Sequence, residues 1–343
     1  MLDPLHLFDA VPTSAPITAD VTVESWTLQK PFVIARGTQT EIQVPVVSLH
    51  CDGHAGRGES CPVPYFGESL DGVMSDIHAM LASLQSGTRW SDLHDRVPAG
   101  AARNAVDCAL WDLAAKTLGK RAHELAGISP MTRVQTVFTI SLDSPQAMAT
   151  AASATDGLEK LKIKLGGRDG QDAERIRMIR AAVPEKTLIV DVNEGWDEDQ
   201  LGEMMPLMAE LGIAMLEQPL HAQRDGAVGA LDHVVPVGAD ESCHVSADLC
   251  RVAPLYDVVN IKLDKTGGLT EALRLLRQAQ GLGLETMVGC MLGTSLAMAP
   301  AMIVAQQCKY VDLDAPLLIG ADRDHALDYS NGWVSPPYAA LWG

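Results

Sequence analysis

Apolar and polar residues alternate through "KLKIKLGG", Lys160–Gly167: Leu161, Ile163 and Leu165 share one face of an extended strand, which leaves Lys162 and Lys164 together on the other. From about Arg133 onward such short apolar runs recur, separated by helical stretches: "VQTVFTISL", "KLKIKLG", "TLIVDVNEG", "IAMLEQP", "VPVGADES", "DVVNIKLDK", "ETMVGCM" and "KYVDLDAP". Eight strands alternating with helices predict a parallel α/β barrel closed on itself, of the TIM-barrel kind. Before Arg133 the order differs. Strand-like "VTVESWTL" and "IQVPVVSLHC" come first, with "KPFVIARGTQT" between them as a Gly-containing connection that could be mobile. The Gly/Pro-rich "GHAGRGESCPVPYFGES" and two helical segments follow. In the second, "AARNAVDCALWDLAAKTLGK", Val106, Ala109, Leu110, Leu113 and Leu118 recur at helical spacing and Gly119 is a stop. Strands first and helices afterwards predict an α+β unit over residues 20–132. Prolines 4, 12 and 16 mark residues 1–19 as a loose leader.

Composition sharpens this picture. With 343 residues, 47% of them hydrophobic and only 4% aromatic, the core must be built from Ala, Val, Leu, Ile and Met, as suits helices packed on a buried sheet. The net charge of −18 argues against nucleic acid or an anionic membrane surface as partner. Seven scattered cysteines without a C-x-x-C spacing suggest neither a disulfide framework nor a zinc site, which fits a reduced cytosol. The start "MLDPLHLFDAVPTSAP" lacks the basic head and apolar run of a signal peptide, so a soluble, cytoplasmic chain is expected.

The apolar runs end in polar residues: Lys164, Asp191, Glu217, Asp240 and Lys262, then the Gly289–Cys290 pair. In a parallel barrel all strands open their carboxyl ends on one face, so these side chains should converge there. Asp191, Glu217 and Asp240 are each about one strand–helix unit apart, on adjacent strands. Carboxylates so close repel by roughly 4 kcal/mol per pair at an effective dielectric near 20, a conflict that a divalent cation removes. Hard oxygen donors without His or Cys favour Mg²⁺, with Mn²⁺ as a substitute, over zinc. Taken singly, each acid reads equally as a helix cap or a surface residue. Asn193 and Glu241 are placed to orient the ligands or the lysines.

Lys164 precedes the acids by one strand and Lys262 follows them by one. Two lysines flanking a cation suit removal of a proton beside a carboxylate and its return from the opposite face. For such a base the lysine pKa must fall to roughly 7–8, and Lys162, on the same face as Lys164, offers a neighbouring positive charge. Lys162 could also bind a substrate carboxylate. Lys160 and Lys265 are expected outside the ring, solvated.

The series "LKIKLGG", "DVNEGW", "LEQPL", "ADESCH" and "NIKLDKTGGLTEAL" resembles the enolase superfamily, in its muconate-lactonizing-enzyme subgroup, where a Lys base beside Mg²⁺ is known. With "PFVIARG", "PAGAARNAVDCALWDLAAK", "VGCMLGTS" and "VDLDAPLL" it resembles the dipeptide epimerases of that subgroup acting on L-Ala-D/L-Glu. The resemblance implies a modified (β/α)₇β barrel over residues 133–318 and a capping domain over 20–132 against which 319–343 packs back. It implies bases at Lys164 and Lys262 and metal ligands at Asp191, Glu217 and Asp240. It also implies an ammonium site at Asp312 and Asp314, and Arg36 in a mobile capping loop as partner of a substrate carboxylate. "VPYFGES" and "MLGTS" would line the pocket, with Tyr65, Phe66, Cys290 and Met291 against the substrate. A small dipeptide as partner and a place in murein-peptide turnover are what the resemblance suggests.

Two other readings compete. Another reaction of the subgroup, as an o-succinylbenzoate synthase, N-acylamino-acid racemase or cycloisomerase, would keep barrel and metal but give Asp312 and Asp314 little to bind. A non-catalytic binding protein would not need bases on both faces of its ligand.

Overall fold

Residues 8–9 and 16–343 are described by a computed structural model of the chain. The predicted leader, residues 1–19, falls largely outside them; at its end, Thr18 already begins the first strand. Strands β1 (Thr18–Ile34), β2 (Gly37–Cys51) and β3 (His54–Glu59) form an antiparallel sheet in that order. The segment expected to connect the first two strands is therefore itself strand: Phe32 pairs with Gln39 and Ile34 with Gly37 beyond a register break after Thr27, and only Ala35 and Arg36 turn the chain.

Helices Leu70–Gln85 and Ala101–Thr117 cover the sheet. The glycines of "GHAGRG" belong to β3 and mark close packing rather than a loop. A Cβ on Gly56 would lie 2.3 Å from the Ala109 carbonyl oxygen, and one on Gly58 2.1 Å from that of Ala105, so the long helix rests directly on the strand backbone.

Eight parallel strands then curl into the barrel: β5 (Phe138–Ile140), β6 (Lys160–Lys164), β7 (Thr187–Asp191), β8 (Met215–Glu217), β9 (Val237–Ala239), β10 (Val258–Ile261), β11 (Glu285–Val288) and β12 (Tyr310–Val311). Helices fill all seven crossovers, and Val137 N donates to Val311 O at 2.9 Å where the first strand meets the last. The fold is thus α/β, a (β/α)₇β barrel beside an antiparallel capping unit. The run "VQTVFTISL" divides: Val134–Gln135, β4, leaves the barrel to pair with Trp333–Val334, β14, which itself pairs with Tyr329–Ser330, β13. At the chain end Trp342 Nε1 donates to Cys108 O and Gly343 N to Asp112 Oδ1, both on the long capping helix.

The two faces of each barrel strand have different fates. Leu161, Ile163, Leu188, Val190, Leu216, Val259 and Ile261 point outward into the main core beneath the helices. Inward, Val137, Ile189, Met215, Val258 and Met287 pack into a separate apolar floor. One step further along, the inward positions are polar or small, with the acids Asp191 and Glu217 among them, and this layer leads to the barrel mouth. Among the described residues no helix is long and apolar enough to cross a membrane; all seven cysteines are free.

Candidate active site

Strand register sets the first three groups in a row. Lys164 pairs with Asp191 across β6 and β7, and Asp191 with Glu217 across β7 and β8. Asp240, Lys262 and Asp312 are the first residues beyond β9, β10 and β12. Lys164 and Lys262 sit on strands separated by three others, hence across the barrel from each other, and both line a cavity of about 360 Å³ at the mouth together with Asp240, Asp312, Asp314 and Arg36. Its size suits a small ligand.

Arg36 is exposed at the rim; the other charged groups are buried, and each has a partner. Lys164 Nζ donates to Asp191 Oδ2 at 2.6 Å and Asn193 Oδ1 at 3.0 Å. Lys262 Nζ donates to Asp240 Oδ2 at 2.7 Å. Lys162, only 1% exposed, bridges Asp191 Oδ2, Glu217 Oε2 and Asp312 Oδ2 at 3.0, 2.9 and 2.7 Å. Its ammonium is therefore committed to carboxylates rather than offered to Lys164. Burial acts against the charged form of Lys262, but Asp240 outweighs it and holds the ammonium above its ordinary range, opposite to the fall a free base requires. Burial likewise pushes against ionisation of Asp191, yet Lys162 and Lys164 keep it well below the carboxylate range. Glu217 is pushed up to about 7, first by burial and then by Asp191, against the pull of Lys162.

Lys265, expected in solvent, is buried. One turn of helix after Lys262 carries it back beneath the strand ends, where Nζ donates to the carbonyls of Cys243 and Asn260 at 2.8 and 2.9 Å and pairs with Asp240 Oδ1 at 2.7 Å. The carbonyls of Asp240, Cys243 and Asn260 converge there from two strand ends, and an ammonium with three donors satisfies them. Lys160 lies half-buried at the start of β6.

Asp312 gives Oδ2 to Lys162, and its buried Oδ1 has no hydrogen-bond partner. Asp314 stands at the N-cap position of the short helix Ala315–Leu318, but its Oδ2 accepts from Thr139 N at 2.7 Å instead of capping; burial and Asp312 push its carboxyl up to about 7. Arg36, at the turn between β1 and β2, reaches over the mouth: it pairs with Glu241 at 2.6 Å, donates to Asn193 O at 3.0 Å and stacks on Tyr65 at 4.1 Å. Asn193 faces Glu241 Oε1 at 3.4 Å. Cys290 and Met291 line the cavity, with burial raising the Cys290 thiol pKa well above its usual range.

Sequence reasoning missed Asn260, whose Nδ2 donates to Glu217 Oε1 at 2.7 Å, and Glu194, which meets Arg36, Tyr65 Oη and Ala222 N. Asn260 had a signal: it is a polar residue inside "VVNIK", in phase with Lys262.

Among the described residues, no three acids, histidines or cysteines already surround one point at metal-binding distances; lysines stand among Asp191, Glu217 and Asp240. The donor chemistry nevertheless suits a hard cation. Glu217 Oε2 and Asp240 Oδ1 are buried and face lysine ammoniums at 2.9 and 2.7 Å without an aligned hydrogen bond, so both are oxygens that a cation could take over.

Two family models account for nearly all of this architecture: "Mandelate racemase / muconate lactonizing enzyme, N-terminal domain" matches residues 16–127, and "Enolase C-terminal domain-like" matches 146–339. The chain belongs to the enolase superfamily. Within that superfamily it is 45% identical, over 92% of its length and 98% of the relative, to the L-Ala-D/L-Glu epimerase of Escherichia coli (strain K12). It is 42% identical, over 84% and 91%, to an N-acetyl-D-glutamate racemase of a Pseudoalteromonas species. Among solved structures, an enolase family member from Agrobacterium tumefaciens with homology to dipeptide epimerases, holding sodium and L-Ala-L-Glu with an ordered loop, superposes with a TM-score of 0.93 at 46% identity, covering 96% of this chain and all of that one. Epimerisation and racemisation are both isomerisations, and this member of the superfamily is an isomerase.

Proposed function

We propose that the chain is a divalent-cation-dependent dipeptide epimerase that inverts the second residue of L-Ala-L-Glu and returns it, by proton transfer between two lysines. The observation that carries this reading is the placement of Lys164 and Lys262 on opposite sides of one cavity, with the acid row between their strands. One lysine takes the α-proton of the second residue, breaking its C–H bond. The other delivers a proton to the opposite face, so the centre is inverted. Asp191, Glu217 and Asp240 would hold Mg²⁺, or Mn²⁺ in its stead; the cation would supply positive charge that stabilises the negative charge left on the substrate when its α-proton is removed and relieves the pull of the acids on the lysines.

Asp312 and Asp314 suit the free ammonium of a dipeptide, since two carboxylates can host one cation and Asp312 Oδ1 has no hydrogen bond of its own. Arg36 suits the side-chain carboxylate of the second residue, as a planar donor fork already at the cavity wall. The ligand bound in the Agrobacterium tumefaciens relative, L-Ala-L-Glu, carries both a free ammonium and a side-chain carboxylate. Work in the cytosol on wall-derived peptides belongs to the same proposal.

Incubation of Lys164→Ala and Lys262→Ala with each epimer in heavy water tests it. Exchange of the α-hydrogen confined to one epimer, a different one for each variant, is expected; equal exchange of both by either variant refutes the two-lysine assignment. A second reading, racemisation of N-acylated amino acids, is favoured by the 42% identity to the N-acetyl-D-glutamate racemase. It predicts turnover of N-acetylglutamate and none of the free dipeptide.

A further inference from the structure

Three non-glycine residues in the left-handed backbone region follow directly on the acid row: Asn193 at φ 47°, Glu194 at 64° and Gln218 at 36°. Asn tolerates this region; glutamine does not do so readily, and backbone strain beside a site marks a function that maintains it. Gln218 is fully buried and directly follows Glu217.

Its left-handed turn breaks a ladder. In the parallel pairing of β8 with β9, Leu216 N donates to Pro236 O and Gln218 N to Gly238 O, so the next bond should run from Asp240 N to Gln218 O. It does not. The turn directs Gln218 O to Glu194 N, at 2.9 Å, on the other side. Asp240 N donates instead to the side-chain Oε1 of Gln218, at 2.9 Å, and Ser242 N joins it there at 3.2 Å. The side-chain amide has replaced the missing backbone carbonyl. Its own Nε2 is held in turn among Leu220 O, Ser242 Oγ and Tyr256 Oη at 2.9, 2.8 and 3.1 Å, which orients the amide.

We infer that Gln218 is a positioning residue for the cation site: its side chain continues the β8–β9 ladder past the last regular pair and so fixes the separation of Glu217 from Asp240. This rests on the proposed cation-binding role of those acids. The spacing matters because Mg²⁺ demands a tight, near-octahedral oxygen set, whereas Ca²⁺ accepts a looser one. Loss of the ladder bond should therefore weaken Mg²⁺ more than Ca²⁺.

Gln218→Asn isolates the effect, since asparagine suits the left-handed backbone but is too short to reach Asp240 N. Titration calorimetry of the full chain with Mg²⁺ and with Ca²⁺, beside the melting temperature without added cation, provides the readout. Mg²⁺ affinity is expected to fall about 10- to 100-fold, as when groups behind metal ligands are removed, with a smaller fall for Ca²⁺. A merely structural role would lower the melting temperature and leave the Mg²⁺/Ca²⁺ ratio unchanged, which overturns the inference. Should this variant not fold, Tyr256→Phe, which removes one acceptor of Nε2, carries the test: a shift of the ratio toward Ca²⁺ supports the inference and an unchanged ratio overturns it. A wild-type chain that binds neither cation overturns the cation site as well.

Discussion

Two buried charged clusters in this molecule look alike in composition and differ in what they face. Where β3 meets the barrel, Glu59 accepts from Thr294 N at 2.8 Å, from Thr294 Oγ1, and from Arg323 Nε and Nη2 at 3.1 and 2.7 Å, so both its oxygens are bonded. This cluster, in which Arg323 also pairs with Glu24 at 2.7 Å, ties the capping sheet, a barrel helix and the chain's end together. At the barrel mouth, by contrast, Asp312 Oδ1 is buried without a hydrogen bond, and Asp312 lines the 360 Å³ cavity. A closed cluster holds the fold. An incompletely answered one, placed at an opening, has charge left for a ligand.

The difference can be broken at either end. The largest effect is expected at the mouth: Lys164→Ala or Lys262→Ala should cost about 10²–10⁴-fold in kcat for epimerisation, the usual contribution of a positioned acid–base group. At the closed cluster, Arg323→Met should leave the Glu59 charge buried without its main partner and cost about 3–5 kcal/mol of stability by urea denaturation, while the choice of substrate stays the same.

A third buried acid sharpens the contrast through pH. Asp264 accepts from Cys61 N and Asn104 Nδ2, both at 2.9 Å, and joins the capping loop to the barrel; burial pushes its carboxyl up to about 7 against those two bonds. The folded chain thus binds a proton that the unfolded chain has released, so stability from this group is present at low pH and lost as pH rises from the ordinary aspartate range to about 7. Asp264→Asn should flatten that slope by at most about 4 kcal/mol, read as denaturation midpoints between those limits.

The smallest effect concerns the substrate. Asp312→Asn should raise KM for a free dipeptide about 10- to 100-fold, the loss of one charge-assisted hydrogen bond, and leave N-acetylated amino acids less affected. Equal changes for both would remove the ammonium role.

How much of this was legible beforehand depended on the range of the interactions concerned. Alternation in "KLKIKLGG" and the acids closing "TLIVD" and "MLE" follow from which face a strand residue occupies, a rule fixed within a few neighbours. The failures were non-local. The glycines of "GHAGRG" had the look of a loop because the helix they admit lies some fifty residues away in sequence. Lys265 had the look of a solvated loop residue because its acceptors, Asp240, Cys243 and Asn260, come from two strand ends that only meet in the barrel. Arg36 could be placed on a loop but not over Glu241 and Tyr65.

By itself the sequence determined the alternation of strand and helix, the apolar outward face of each strand, and the charged residues that end them. These depend on backbone periodicity and on the cost of burying charge, which every segment obeys alone. Tertiary structure decided which charge answers which: Lys162 against three acids, Lys265 beneath Asp240, the amide of Gln218 in place of a backbone carbonyl. Those pairings depend on distances across a closed sheet, and such distances do not exist until the first strand meets the last.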